Sequence, residues 1–185
     1  MSKLIVSAWI TLDGVFDATT MHEWFTPFDS TERQAYIRDG ILAADALLLG
    51  RLTYEMLASY WPHLKHNEMG IAAKLNSMTK FVVSSSLERA DWENTILIGE
   101  DVAAAVKKLK EAAGKEIQIE GSAGLIHSLM KTDLIDEYRF LVHPVIAGKG
   151  KRFFKEEAPL QHLNLVKAQT MANGVQLLCY EPERN

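Results

Sequence analysis

A chain of 185 residues, 48% of them apolar, holds enough hydrophobic material for one well-packed domain and gives no compositional reason to expect two, so residues 1–185 read as a single unit. A formal net charge of −4 provides no broad basic field, which argues against nucleic acid as the main partner. The single cysteine cannot form an internal disulfide or a multi-cysteine zinc site, and the amino-terminal apolar run, broken by Thr11 and Asp13, is too short and too polar for a leader or a membrane span; a cytoplasmic protein is the expectation.

Strand-like segments rich in β-branched residues and leucine alternate with helix-like ones, the pattern of a largely parallel sheet with helices on its faces. Lys3 to Thr11 is the first predicted strand, and a loop rich in aromatics follows it. Thr31 to Ala43 has helical spacing through Ala35, Tyr36 and Leu42, with Ser30 or Asp29 where an N-terminal cap belongs. Ala46 to Leu49 is a continuous apolar run ending at Gly50, which suits a central strand buried on both faces, and a helix is expected from about Leu52. Lys80 to Ser84 and Thr95 to Gly99 are further strands, and Val102 to Ala112 is an amphipathic helix. Glu116 to Glu120 then enters Gly121-Ser122-Ala123-Gly124, before a helix over Leu125 to Lys131 and a long strand over Glu137 to Ile146. Asn173-Gly174, between the alternating runs Leu163 to Met171 and Val175 to Tyr180, predicts a hairpin. Cys179 lies in the last of these runs and reads as a buried strand thiol.

Two places show the arrangement strand, glycine, helix: Leu49-Gly50-Arg51-Leu52-Thr53 and Ile119-Glu120-Gly121-Ser122-Ala123-Gly124. Unpaired amide N–H groups and the helix dipole favour a phosphate at such turns, and two of them suit a dinucleotide. The plainer reading is a pair of tight turns with Thr53 as a cap, since neither turn fits G-x-G-x-x-G or the Walker pattern. Arg51 favours the phosphate, because its guanidinium can grip an anion bidentately. Lys149, Lys151 and Arg152 are a second basic group, read first as a charged solvated loop and alternatively as a group able to attract an anionic substrate substituent. Among Trp9, Trp24, Phe25, Phe28 and Trp61, Trp24 is the one expected to wall a planar substrate, because it falls in the irregular loop after the first strand. His63 and His66 are spaced like metal ligands, but no cysteine or acid cluster accompanies them and no metal is expected.

Ala46-Leu47-Leu48-Leu49-Gly50-Arg51-Leu52-Thr53-Tyr54-Glu55 resembles the Gly-Arg-x-Thr-aromatic-Glu segment of dihydrofolate reductases. Phe81-Val82-Val83-Ser84-Ser85 resembles the strand whose terminal serines face the adenosine 2′-phosphate in that family, and Glu120-Gly121-Ser122-Ala123-Gly124 its glycine-rich pyrophosphate loop. Thr11-Leu12-Asp13-Gly14, Leu134-Ile135-Asp136-Glu137 and His143-Pro144-Val145-Ile146-Ala147-Gly148-Lys149-Gly150 narrow the resemblance to the reductase domain of the bifunctional riboflavin-biosynthesis deaminase-reductase. The His-x-Glu and Cys-x-x-Cys signature of a zinc deaminase is absent.

The resemblance implies a three-layer α/β/α fold with a mixed, mostly parallel sheet of about eight strands, an antiparallel carboxyl-terminal hairpin, NADPH across the strand ends, and a homodimer. It assigns Gly50, Arg51, Thr53, Ser84, Ser85, Gly121, Ser122, Ala123 and Gly124 to the cofactor. Asp13 would then face the nicotinamide as a catalytic candidate beside Glu120, with Trp24 and Lys151 toward substrate; the plainer alternatives are an Asp-Gly turn at Asp13 and an ordinary polar strand end at Glu120. Two departures stand out. Ser122 replaces a glycine where backbone and pyrophosphate should meet closely. Gln34, and neither Glu32 nor Asp39, falls where dihydrofolate reductases place their folate-binding carboxylate. The expected activity is therefore NADPH-dependent reduction of a pyrimidine-linked ribosyl compound or a related small heterocycle or carbonyl. A pterin reductase and a non-catalytic nucleotide-binding dimeric module are the alternatives.

Overall fold

Apolar side chains on both faces of Lys3–Thr11 make it the long strand β1, and the chain then turns through a short helix α1 (Met21–Trp24) into α2 (Thr31–Ala43). The computed structural model describes all residues except Lys65, Ala113, Lys115, Glu156, Glu157 and Asn185. There follow β2 (Ala46–Gly50), α3 (Arg51–Ala58), α4 (Ala72–Ser77), β3 (Thr79–Val83), β4 (Thr95–Ile98), α5 (Val102–Glu111), β5 (Glu116–Gly121), α6 (Ala123–Met130), β6 (Glu137–His143), β7 (Leu163–Thr170) and β8 (Gln176–Pro182).

The eight strands form one sheet in the order β4-β3-β2-β5-β1-β6-β8-β7. Pairing is parallel from β4 through β6. β8 is antiparallel to both β6 and β7, so it alone runs against the others. Asn173 and Gly174, both at positive φ, make the hairpin turn that an Asn-Gly pair favours.

One sheet face carries Leu4, Val6, Ala8 and Ile10 of β1 against Val106 of α5 and Leu125, Ile126 and Leu129 of α6. The other carries Leu47 and Leu49 of β2 against Ile41 of α2, Tyr54 of α3 and Leu75 of α4. β2 is buried along its whole length, as the unbroken apolar run predicts. Each fully buried leucine or isoleucine contributes roughly 1.5–3 kcal/mol of transfer free energy, so these layers supply most of the driving force.

Most expected bounds fall within a residue or two of those observed, and three of the differences are instructive. β6 stops at His143 and not at Ile146, because Pro144 has no N–H to give the ladder. α3 starts at Arg51 and α6 at Ala123, each earlier than expected, because Gly50 and Ser122 take the N-cap positions themselves. Thr53 is accordingly inside α3 and does not cap it. Neither start has a side-chain cap, whereas Ser30 Oγ accepts from Arg33 N in α2 and Asp101 Oδ1 from Ala104 N in α5. No described helix is long and apolar enough to cross a membrane.

Candidate active site

The adjacent strands β2, β5 and β1 reach their carboxyl ends together, and the two strand, glycine, helix turns meet there. A Cβ on Gly50 would collide with the Ser122 side chain and lie 3.0 Å from Ser122 N. Gly121, at φ +132°, would bring one to 2.9 Å from Thr53 Oγ1. The two turns therefore touch, and only glycine allows the approach. The Gly121-Ser122 peptide is cis.

Beside them opens a cleft of about 1040 Å³, roughly the upper end of the usual range for small-molecule sites. Leu52, Thr53, Met56 and Leu57 of α3 form one side, with Ser122, Ala123 and Gly124 at the start of α6. Ser7 and Trp9 of β1 and Glu120 of β5 form the floor, and Trp24, Phe16 and Asp17 come from the segment after β1. Lys151, Arg152, Phe154 and Lys155 close the far wall.

Glu120 is the chemically distinctive group. Burial pushes its carboxyl up to about 7, against the opposing effect of a hydrogen bond from Gln118 Nε2 to Oε1. A carboxyl at that value holds a proton near neutral pH and can still release it.

Trp24 does line the cleft, but it sits in α1, only 2% exposed, with its indole N–H donated to Thr20 Oγ1. Its ring abuts the buried His143 imidazole, and Phe25 and Phe28 pack around the same ring. Arg33, also buried, donates through Nη1 to Phe25 O at 2.6 Å and lies 3.2 Å from His143 Nε2. Burial first, and then the Arg33 charge, pushes His143 down to about 4, so the imidazole is neutral and accepts from the guanidinium. Trp9 stacks on Phe25 at 4.7 Å, which joins the cleft floor to this knot. Trp61 belongs to the core beneath α3.

Asp13 does not line the cleft, contrary to the placement the resemblance implied. Its carboxylate accepts from Thr11 Oγ1 at 2.6 Å, Ala147 N at 3.0 Å and Gly148 N at 2.9 Å, and those bonds hold it down to about 2. It ties the loop after β6 to the end of β1. Asp17 does the same from inside the cleft wall. Burial opposes its ionisation, but Thr19 and the Lys151 backbone N–H keep it below the usual carboxylate range.

Arg51 and the serines at the end of β3 also lie outside the cleft lining. The Arg51 guanidinium binds Glu55 one turn along α3, at 2.9 and 3.3 Å. Ser84 Oγ accepts from Ser86 N and Leu87 N, closing a turn, and Ser85 is exposed. Of the basic trio, Lys151 and Arg152 face the cleft and Lys149 does not.

The sheet order, the two touching glycine turns and the cleft at the strand ends define a dihydrofolate-reductase-like α/β protein. Dihydrofolate reductase from Enterococcus faecalis, solved with NADP(H), superposes with a TM-score of 0.64 at 15% identity, over 98% of this chain and 97% of that one. The model of the RibD C-terminal domain matches residues 2–177, and the chain belongs to that family of reductase-like domains. The uncharacterized protein YyaP of Bacillus subtilis (strain 168) is 27% identical over 180 residues, 96% of this chain and 94% of YyaP. A pyrimidine reductase-like protein from Corynebacterium diphtheriae superposes with a TM-score of 0.72 at 15% identity, over 100% of this chain and 93% of that one.

Proposed function

We propose that this protein is a cytoplasmic NADPH-dependent reductase of a pyrimidine-linked ribosyl compound or a closely related small heterocycle, with Glu120 as its proton donor. The observation that carries the reading is one cleft containing both uncapped helix starts, α3 and α6, and a desolvated carboxyl.

The residues present fit the cofactor. Gly50 and Gly121 bring the two helix starts into contact, so the N–H groups around Ser122, Ala123 and Gly124 converge with Thr53 where a pyrophosphate needs donors. Arg51, turned from Glu55, with Ser84 and Ser85, would meet the adenosine 2′-phosphate. Bound there, the reduced nicotinamide supplies hydride. Trp24 and Trp9 present an aromatic wall to a planar ring, and Lys151, Arg152 and Lys155 favour an anionic substituent at the far wall. Glu120, protonated in its apolar surroundings, gives its proton to the substrate atom that gains the electron pair.

The test is to follow the reduced-nicotinamide absorbance with NADPH and a panel of pyrimidine ribosides, pterins and simple carbonyl compounds. Turnover of a pyrimidine riboside is expected, with Glu120→Gln lowering kcat by roughly 10²- to 10⁴-fold at unchanged NADPH affinity. Preference for a pterin would reassign the substrate. Tight NADPH binding with no turnover across the panel would make the protein a nucleotide-binding module.

We further propose a homodimer. Leu163, Leu165 and Val166 of the edge strand β7 are exposed, a surface that a lone sheet edge leaves open to pairing. Light scattering should give twice the chain mass at micromolar concentration, and a monomer mass there would rule the dimer out.

A further inference from the structure

On the reductase reading, we propose that Gln118 is a positioning residue: its side-chain amide decides which oxygen of the Glu120 carboxyl carries the proton, and keeps that oxygen toward the cleft. Gln118 and Glu120 are two apart on β5 and so share a sheet face. Gln118 is 5% exposed. Its Nε2 donates to Glu120 Oε1, and its own Oε1 is buried with no partner among the described residues. Beside that oxygen passes α2, where a Cβ on Gly40 would stand 3.9 Å away. A buried amide oxygen without a partner is uncommon and calls for a reason. Among the described residues the side-chain amide bonds to Glu120 alone, so the pair acts as one unit.

The consequence follows from what each atom can do. An amide N–H only donates, so a proton on Glu120 Oε1 would meet it head to head. The proton therefore sits on Oε2, which has no protein partner among the described residues and belongs to a side chain that lines the cleft. As the substrate carbon accepts hydride, the Oε2–H bond breaks, and the proton joins the nitrogen or oxygen that has gained the electron pair. Glu120 is left as a carboxylate, its bond from Gln118 becomes charge-assisted, and solvent water restores the proton. Among the described residues, the other charged groups sharing the cleft are Asp17 on the segment after β1 and Lys151, Arg152 and Lys155 opposite. β1, α1, α3 and α6 present only uncharged side chains to it.

Gln118→Met keeps length and shape while removing both the N–H donor and the orphaned oxygen, so the fold should survive with an unchanged or higher thermal midpoint. In ligand-free protein labelled with ¹³C-glutamate, the Glu120 carboxyl resonance, assigned through Glu120→Gln, should titrate near 7 in the parent. In Gln118→Met its proton affinity should rise at least about threefold, because the carboxylate loses its donor. With a substrate found, kcat should fall severalfold, KM for both substrates should hold, and the pH profile should move with the carboxyl titration. A folded Gln118→Met protein with the parent's titration overturns the proposal, as does a shifted titration with unchanged kcat. Absence of turnover in every variant counts against the reductase reading itself, whereas the titration decides the pair independently.

Discussion

Four described helices are at least eight residues long, and they fall into two kinds. α2 and α5, whose starts lie away from the cleft, are closed by Ser30 and Asp101; α3 and α6, which open onto it, begin at Gly50 and Ser122 with no side-chain cap. A capping hydrogen bond is typically worth about 1 kcal/mol relative to alanine and roughly a few tenths relative to glycine, so the protein forgoes a modest stabilisation at both starts, and at one place. Adjacent strands β2 and β5 bring the two open starts together, which pools their unpaired N–H groups and dipoles. The helices away from the cleft are closed by their own side chains; those at the cleft leave their first N–H groups without a side-chain cap, which the proposed cofactor phosphates would use.

The contrast can be broken most severely at the contact between the open starts. Gly121→Ala forces a side chain into φ +132° and against Thr53, and should cost roughly 3 kcal/mol or more in denaturant unfolding. A neutral result would mean the two starts do not meet as described. Arg51→Gln probes the anion itself. A charge-assisted contact is worth roughly 1.5–3 kcal/mol, so NADPH affinity should fall about ten- to a hundredfold by calorimetry while NADH is spared. Stability without ligand should stay near the parent's, since the exposed pair with Glu55 contributes little. Equal loss for both cofactors would move Arg51 to the shared pyrophosphate. The mildest probe is Ser30→Ala at a closed start, which should lower stability by about 1 kcal/mol and leave NADPH affinity alone. A loss of NADPH affinity there would erase the distinction between the two kinds of helix.

The sheet was legible because its segments carry strong local signals: β1 and α2 fall on their predicted bounds, and the Asn173-Gly174 hairpin forms where its turn chemistry requires. The site was legible only in part. Glu120 and the glycine turns announce themselves locally, but Asp13 binds Ala147 and Gly148, about 134 residues away, and no neighbouring residue hints at that. Asp17 reads as an ordinary loop acid for the same reason, its distant partner being the Lys151 backbone. Gln118 was hidden by its pattern. Glu116, Gln118 and Glu120 alternate with Ile117 and Ile119 as on a strand with one wet face, yet β5 lies mid-sheet and Gln118, in the middle of that face, is buried.

The neutral imidazole pinned beneath Arg33 also sets how this molecule meets acid. An unfolded chain takes up a proton at His143 near pH 6.5, whereas the folded protein refuses it until about 4. Between those values the unfolded chain binds more protons at this site, so the stability that His143 contributes is lost as pH falls through that window, while Glu120, raised to about 7, contributes in the opposite sense. The rings gathered on His143 include Trp24 of the cleft wall. Protonation of His143 therefore loosens the aromatic wall from behind, and loss of ligand binding there should appear as pH approaches 4, after the Glu120 carboxyl has taken up its proton.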